Sequence, residues 1–280
     1  MTVYLPRDAQ QARKRVRIGV AIRPRRSLQV MYRDALQQQV RLLMLATDTV
    51  AQALSVRGER AATFALIARQ MQSTGRTLDA LAPQITGTWA SASNAANKQQ
   101  VERMIARAFG VEWARVVSSS EIGAAVNSAV AANVGLIRTL ADNHWSRVIE
   151  AITANYQGKV FAEGSLSARL ARIGGISQGQ ARLIARDQTA KLVSDLNAIR
   201  QQDAGIRRYR WRNVQDQRVV GNPTGLYPEG NEAHGDHWAR EGEEYRWDSP
   251  PEDGPPGQAI LCRCSAEPVI DLDELDATYV

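Results

Sequence analysis

Asn197-Ala198-Ile199-Arg200-Gln201-Gln202-Asp203-Ala204-Gly205-Ile206-Arg207-Arg208-Tyr209-Arg210-Trp211-Arg212 is the stretch where the periodicity of the chain changes. Before Gly205 the pattern is helical. Ser177 caps a helix reaching about Gln202, with Ala181, Ile184, Ala185 and Leu192 on one stripe. Gly205 stops it. After Gly205, Arg208 to Arg212 alternates polar and aromatic side chains, the two-residue period of a strand. Helical patterns lie upstream of this point, and short strands among Gly/Pro turns lie downstream. The fold class expected is α+β, a mainly helical N-terminal body with a small loop-rich C-terminal α+β module.

Upstream, Val40, Leu43, Met44, Val50, Ala51 and Leu54 share one helical face, with Thr47 as its polar member, and Gly58 ends that helix. Ala61–Met71 continues the pattern, Leu78–Leu81 is stopped by Pro83, and Ile85–Phe109 is closed by Gly110. Ser118-Ser119-Ser120 opens a helix to about Asp142, and Trp145, Val148, Ile149 and Ile152 lie on the next. Ser165–Ile173 reads as a short helix ended by Gly174-Gly175. These stripes are read first as core. Downstream, Arg218-Val219-Val220, Glu244-Tyr245-Arg246-Trp247 and Ala259–Cys264 are further strand candidates. The segments expected are a basic arm (1–27), a helical N-terminal region (28–117), a second helical part (118–204), and a small acidic α+β module with Cys-x-Cys (205–280).

Charge divides the chain in the same sense. Residues 1–224 hold 32 Lys/Arg against 15 Asp/Glu, a net of +17, and residues 225–280 hold 3 against 14, a net of −11. A basic region of this kind suits an anionic partner, DNA or an acidic protein surface, and Arg13, Lys14, Arg15, Arg17, Arg23, Arg25 and Arg26 are its candidate contacts. Two cysteines exclude a disulfide scaffold. The first thirty residues lack the apolar core of a signal peptide, and no unbroken apolar run of eighteen residues occurs. The expectation is folding in a reducing cytoplasm, with no membrane partner.

Two constellations could carry chemistry. Cys262 and Cys264 are two apart, so on a strand both thiols face one side. His234 and His237 are three apart and would share a helical face. Two thiolates and two imidazoles are a legitimate tetrahedral zinc set, while two reduced structural thiols explain the same cysteines. Asp216, Arg218 and His237 also fit the roles of acid, clamp and base. No nucleophile or second carboxylate stands beside them, so a hydrogen-bonded turn, with Asp216 capping backbone and Arg218 pairing an acid, is the preferred reading, and no enzyme is expected. Trp211, Tyr245 and Trp247 could stack on bases, but the core of the small module claims them first.

Taken in order, these residues resemble a known family. Ile184-Ala185-Arg186 on a helix is followed by Tyr209-Arg210-Trp211, Asp216-Gln217-Arg218-Val219, His237 with Gly242 five residues on, Trp247, Pro250-Pro251 with Gly254, Pro256-Gly257, and Cys262-Arg263-Cys264. The series, over roughly residues 120–270, is similar to the phage head morphogenesis, or Mu F-like, minor head proteins. It departs from them at Asp187, at an insertion from Gly221 to Gly235, and at Pro255, where many members carry a histidine. The resemblance implies a virion component that joins the portal protein and the major capsid protein or scaffold during assembly in the host cytoplasm, and that touches packaged DNA in some members. The rival expectations are a nucleic-acid-binding protein acting outside a particle, and a metal-dependent nuclease or hydrolase.

Overall fold

The structure, a computed structural model, describes residues 15–17, 19–57, 59–109, 119–229 and 235–271. In chain order the described elements are β1 (Arg15–Arg17), α1 (Arg26–Arg57), α2 (Arg60–Phe109), α3 (Ser119–Tyr156), α4 (Leu166–Asp203), β2 (Arg208–Arg212), β3 (Glu244–Arg246) and β4 (Ser265–Asp271). The expected α+β class is what the chain adopts, with the helical body first and the small sheet near its C-terminal end. Two compact units emerge, each assembled from separated stretches. One comprises Arg26–Ala90 and Ser128–Arg186, the other Met1–Arg25, Ser91–Asn127 and Asp187–Val280.

The first unit is wholly helical. Its core is the stripe read from the sequence, Val40, Leu43 and Val50, extended by Tyr32 and Leu36 on α1 and met by Ile67, Trp89, Ile137, Val148, Ile152 and Ile173. Tyr32 stacks on Trp89 with ring centroids 4.5 Å apart, and its hydroxyl donates to Asn133 Oδ1 at 2.8 Å. A polar chain crosses this core: Thr47 Oγ1 lies 2.9 Å from His144 Nε2, and His144 Nδ1 lies 3.0 Å from Ser177 Oγ. His144 is fully buried. Burial, then the charge of Arg147, hold its imidazole down at about 4, so the ring is neutral and one nitrogen must accept.

Three sequence expectations about these helices are corrected. Pro83 does not stop a helix; α2 runs through it for 50 residues. Proline inside a helix costs about 3 kcal/mol. Here Leu78, Ala82, Thr86, Trp89 and Ala90 are buried around it, and that burial outweighs the lost bond. The expected break near Asp142 is likewise absent, and α3 is continuous from Ser119 to Tyr156. Gly174-Gly175 does not end a helix either, because α4 continues through them. A Cβ on Gly174 would lie 2.8 Å from Met44 Cε, so the first of these glycines is there for close packing. Ser177 is accordingly a buried mid-helix residue whose hydroxyl donates to the Ile173 carbonyl, not a cap. By length and composition alone, the Glu121–Tyr156 stretch of α3 is apolar enough to cross a membrane, with 22% of its most apolar window buried.

The second unit carries the sheet, in strand order β1-β4-β2-β3 with every pairing antiparallel. Tyr209 pairs with Tyr245 and Pro268, and Trp211 with Ala266, so one face is aromatic and apolar. Tyr209, Trp211, Trp247, Cys262, Cys264 and Ala266 form its core. The other face pairs charges: Arg210 bonds Glu244 at 2.6 Å, and Arg212 pairs with Glu267 and with Glu241 at 3.0 Å. Within the basic arm, Arg15–Arg17 is β1 and aligns with Val269–Asp271. The strand expected at Ala259–Cys264 begins at Ser265 instead, since 259–261 is a turn with Leu261 at φ 58°. Arg218-Val219-Val220 is also a turn, closed by Val219 N–H donating to the Asp216 carbonyl at 3.1 Å.

Candidate metal centre

Cys262 and Cys264 precede β4, and three anchors shape the loop that holds them. Asp187 on α4 accepts the Leu261 N–H through Oδ1 at 2.7 Å, which fixes the left-handed residue just before Cys262. Arg263, between the cysteines, is turned the other way and gripped by both carboxylate oxygens of Asp216. The preceding Pro-Pro-Gly loop docks on α4: Ser194 Oγ donates to the Pro256 carbonyl at 2.8 Å. Gly257, at φ 97°, approaches the Ala190 carbonyl so closely that a Cβ would sit 3.2 Å from it. The result is the arrangement read from the spacing, both thiols on one side, produced by turn geometry rather than by a strand.

His237 meets them there. Its Nδ1 lies 3.6 Å from Cys262 Sγ and 3.6 Å from Cys264 Sγ, and the three donor atoms lie within 4.8 Å of one another. All three residues are buried. On the far side of the ring, His237 Nε2 is 2.8 Å from Asp253 Oδ2, and Asp253 Oδ1 accepts from Arg240 Nη1 at 2.5 Å. Arg240 lies over the Trp211 ring at 5.0 Å, and Trp211 meets the His237 ring edge-on at 4.9 Å. The Trp211 indole N–H is buried without a conventional acceptor, and it favours the thiolate of Cys264. This cluster could hold a metal ion.

The electrostatics favour one anionic sulfur, that of Cys262. Hydrogen bonding with Cys264, then with His237 and its charge, pulls Cys262 well below the ordinary thiol range despite burial. The hydrogen bond with Cys262, then burial and the charge so placed, push Cys264 upward. Burial alone would lower the His237 imidazole, but Cys262 and then Asp253 outweigh it and hold the ring above its usual value. Arg263 keeps the Asp216 carboxyl below the usual carboxylate range.

The other sequence candidates fall as follows. His234 lies outside the described residues, as do Arg13 and Lys14. Arg15 and Arg17 are in β1, and Arg26 opens α1. Arg23 Nε donates to Ser265 Oγ at 3.4 Å, and Arg25 to Gln99 Oε1 at 3.5 Å. Tyr209, Trp211 and Trp247 are core; Tyr209 and Trp247 pack at 4.4 Å, and the Trp247 indole donates to Gln201 Oε1 at 3.2 Å. Gly242 N–H donates to the Trp211 carbonyl at 2.9 Å with φ 86°. Pro251 accepts from Gly254 N–H at 2.9 Å beside exposed Pro250. Arg186 lies on α4 and belongs to the helical unit. Asp216 caps backbone as expected, accepting the Arg218 N–H at 2.9 Å, and its carboxylate is paired by Arg263, while Arg218 is exposed. The sequence reading missed Asp253, Arg240 and Asp187 as partners of the site. Asp253 stands sixteen residues from His237, and no spacing rule links them.

No protein-family model matches the chain, and no solved structure matches it. An uncharacterized protein of Haemophilus influenzae is 24% identical over 287 aligned positions, covering 98% of this chain and 60% of the relative. The chain therefore spans about three-fifths of the length of that relative.

Proposed function

We propose that the chain is a minor head protein of a tailed phage, of the head-morphogenesis Mu F-like kind, acting as a non-enzymatic adaptor in the virion between the portal protein and the major capsid protein or scaffold. One observation carries the reading. Motif residues from Tyr209 to Cys264 close on a single small module: Tyr209, Trp211, Trp247, Cys262 and Cys264 share one core, with His237 edge-on to Trp211. An ordered series that resembles a family by sequence is thereby accounted for as the framework of one fold. The charge division supports an adaptor role, with the basic part suited to packaged DNA or an acidic portal surface and the acidic module to a basic protein face.

Within that module the metal is zinc, in a structural role. Two donors at tetrahedral zinc bond lengths, about 2.3 Å to sulfur and about 2.0 Å to nitrogen, stand roughly 3.5 Å apart. The 3.6 Å from His237 Nδ1 to each sulfur fits that geometry. Soft thiolates with an imidazole suit zinc, and burial of the three donors suits an ion that braces a loop-rich module, with the fourth tetrahedral position left to a further ligand.

Co-assembly is the test. The chain is expressed with its cognate portal and major capsid proteins, particles are purified, and their protein and metal contents are measured. Substoichiometric incorporation in particles with portal is expected. A chain that stays soluble and absent from particles overturns the adaptor reading, whatever its zinc content.

A further inference from the structure

We infer that Asp253 is a positioning residue that selects Nδ1 of His237 as the metal-binding nitrogen, with Arg240 fixing the polarity of the pair; this rests on reading the cluster as a metal centre. A neutral imidazole has one N–H and one lone pair, so the group facing one nitrogen decides what the other can do. Asp253 Oδ2 faces Nε2 at 2.8 Å, and an ionised carboxylate only accepts. When a metal takes Nδ1, the one remaining proton is therefore held on Nε2, and the lone pair of Nδ1 is free for an ion shared with the two sulfurs, each 3.6 Å away.

Arg240 makes this arrangement directional. Its Nη1 donates to Asp253 Oδ1 at 2.5 Å, and its guanidinium is held over the Trp211 ring. An arginine only donates, so it requires an oxygen at that position. In Asp253→Asn, the amide oxygen is claimed by Arg240 and the amide NH2 is turned to His237 Nε2. That NH2 needs a lone pair on Nε2, and the ring must then carry its proton on Nδ1, where the metal would bind. A change of one heavy atom, with no change of shape, thus reverses the ring.

The experiment uses the purified full chain, with nitrogen-15 histidine and cadmium-113 as the zinc substitute. Cadmium coupling to Nδ1 of His237, with the proton on Nε2, is expected. Competition with a chromophoric chelator is expected to give Asp253→Asn a zinc affinity lower by roughly 10–100-fold, and Asp253→Glu, which still accepts, an affinity between the two. Coupling to Nε2, or an Asp253→Asn affinity equal to wild type, overturns the inference while leaving the metal centre standing. Wild-type protein that takes up neither zinc nor cadmium overturns the metal centre and the inference with it. The wild-type coupling decides the matter even if the asparagine variant fails to fold.

Discussion

Asp187 and Leu261, 74 positions apart, are joined by a single backbone-to-carboxylate hydrogen bond of 2.7 Å, and that bond holds the one non-glycine residue of the cysteine loop that has a left-handed backbone. The same carboxylate pairs with Lys191 through its other oxygen at 2.9 Å. Asp187→Ala leaves the Leu261 N–H without its acceptor and removes a charge-assisted bond of about 2 kcal/mol. A lower urea midpoint with unchanged slope is expected, together with weaker zinc binding, because the loop that presents Cys262 is released. Equal midpoints would refute the anchoring role.

Glycines on α4 and in the docked loop should respond in opposite directions to alanine. Gly257, at φ 97° and 3.2 Å from both the Ala190 carbonyl and Ser194 Cβ, is expected to lose about 1–3 kcal/mol in Gly257→Ala. Gly175 lies inside the helix with open space where a Cβ would go, so Gly175→Ala is expected to stabilise by up to about 1 kcal/mol. Thermal melts of the two variants against wild type read both signs.

Acid should weaken the helical unit through His144. Its folded value of about 4 lies below the unfolded value of roughly 6.5, so the unfolded chain binds the proton more readily. The stability in question is fully present above the unfolded value and is lost as pH falls through 6.5 towards 4, about 3 kcal/mol in total. Urea midpoints measured across this range should fall more steeply for wild type than for His144→Gln, and identical slopes would contradict the buried neutral ring.

Removing the metal should be felt first by the aromatic core. Trp211 touches the His237 ring, and Trp247 shares a core with both cysteines. Native mass spectrometry of the zinc-loaded chain is expected to show one ion, absent from the Cys262→Ser, Cys264→Ser double variant. Chelation should shift the tryptophan emission of wild type and leave that of the double variant unchanged.

Much of this was legible in residue patterns, for identifiable reasons. Alternation in Arg208–Arg212 predicted both the strand and its inward aromatic side, because a strand's period is two regardless of context. Helix existence was legible, and so were the ends assigned to Gly58, Gly110 and Gly205, since α1 stops at Arg57, α2 at Phe109 and α4 at Asp203. The continuity of the helices through internal breakers was not. Pro83 and Gly174-Gly175 are local breakers whose cost was overruled by burial around Trp89 and by the approach of Met44, quantities absent from any local window. The pairing of His237 with both cysteines followed from residue type. Its partner Asp253 did not, since an aspartate in a Pro/Gly-rich loop reads as a solvated turn until the loop is folded over α4.

Strand β4 pairs with β2 on one side and with β1, from the first seventeen residues, on the other. During vectorial synthesis the helical unit, complete at Arg186, has all its residues before the sheet can be assembled. β1 and β2 lack the strand that joins them until Ser265–Asp271 has left the ribosome. A nascent chain arrested before Ser265–Asp271 emerges would thus display unpaired strand edges and an unmade cysteine loop, a transient signature that chaperones or early proteolysis would distinguish sharply from the assembled sheet.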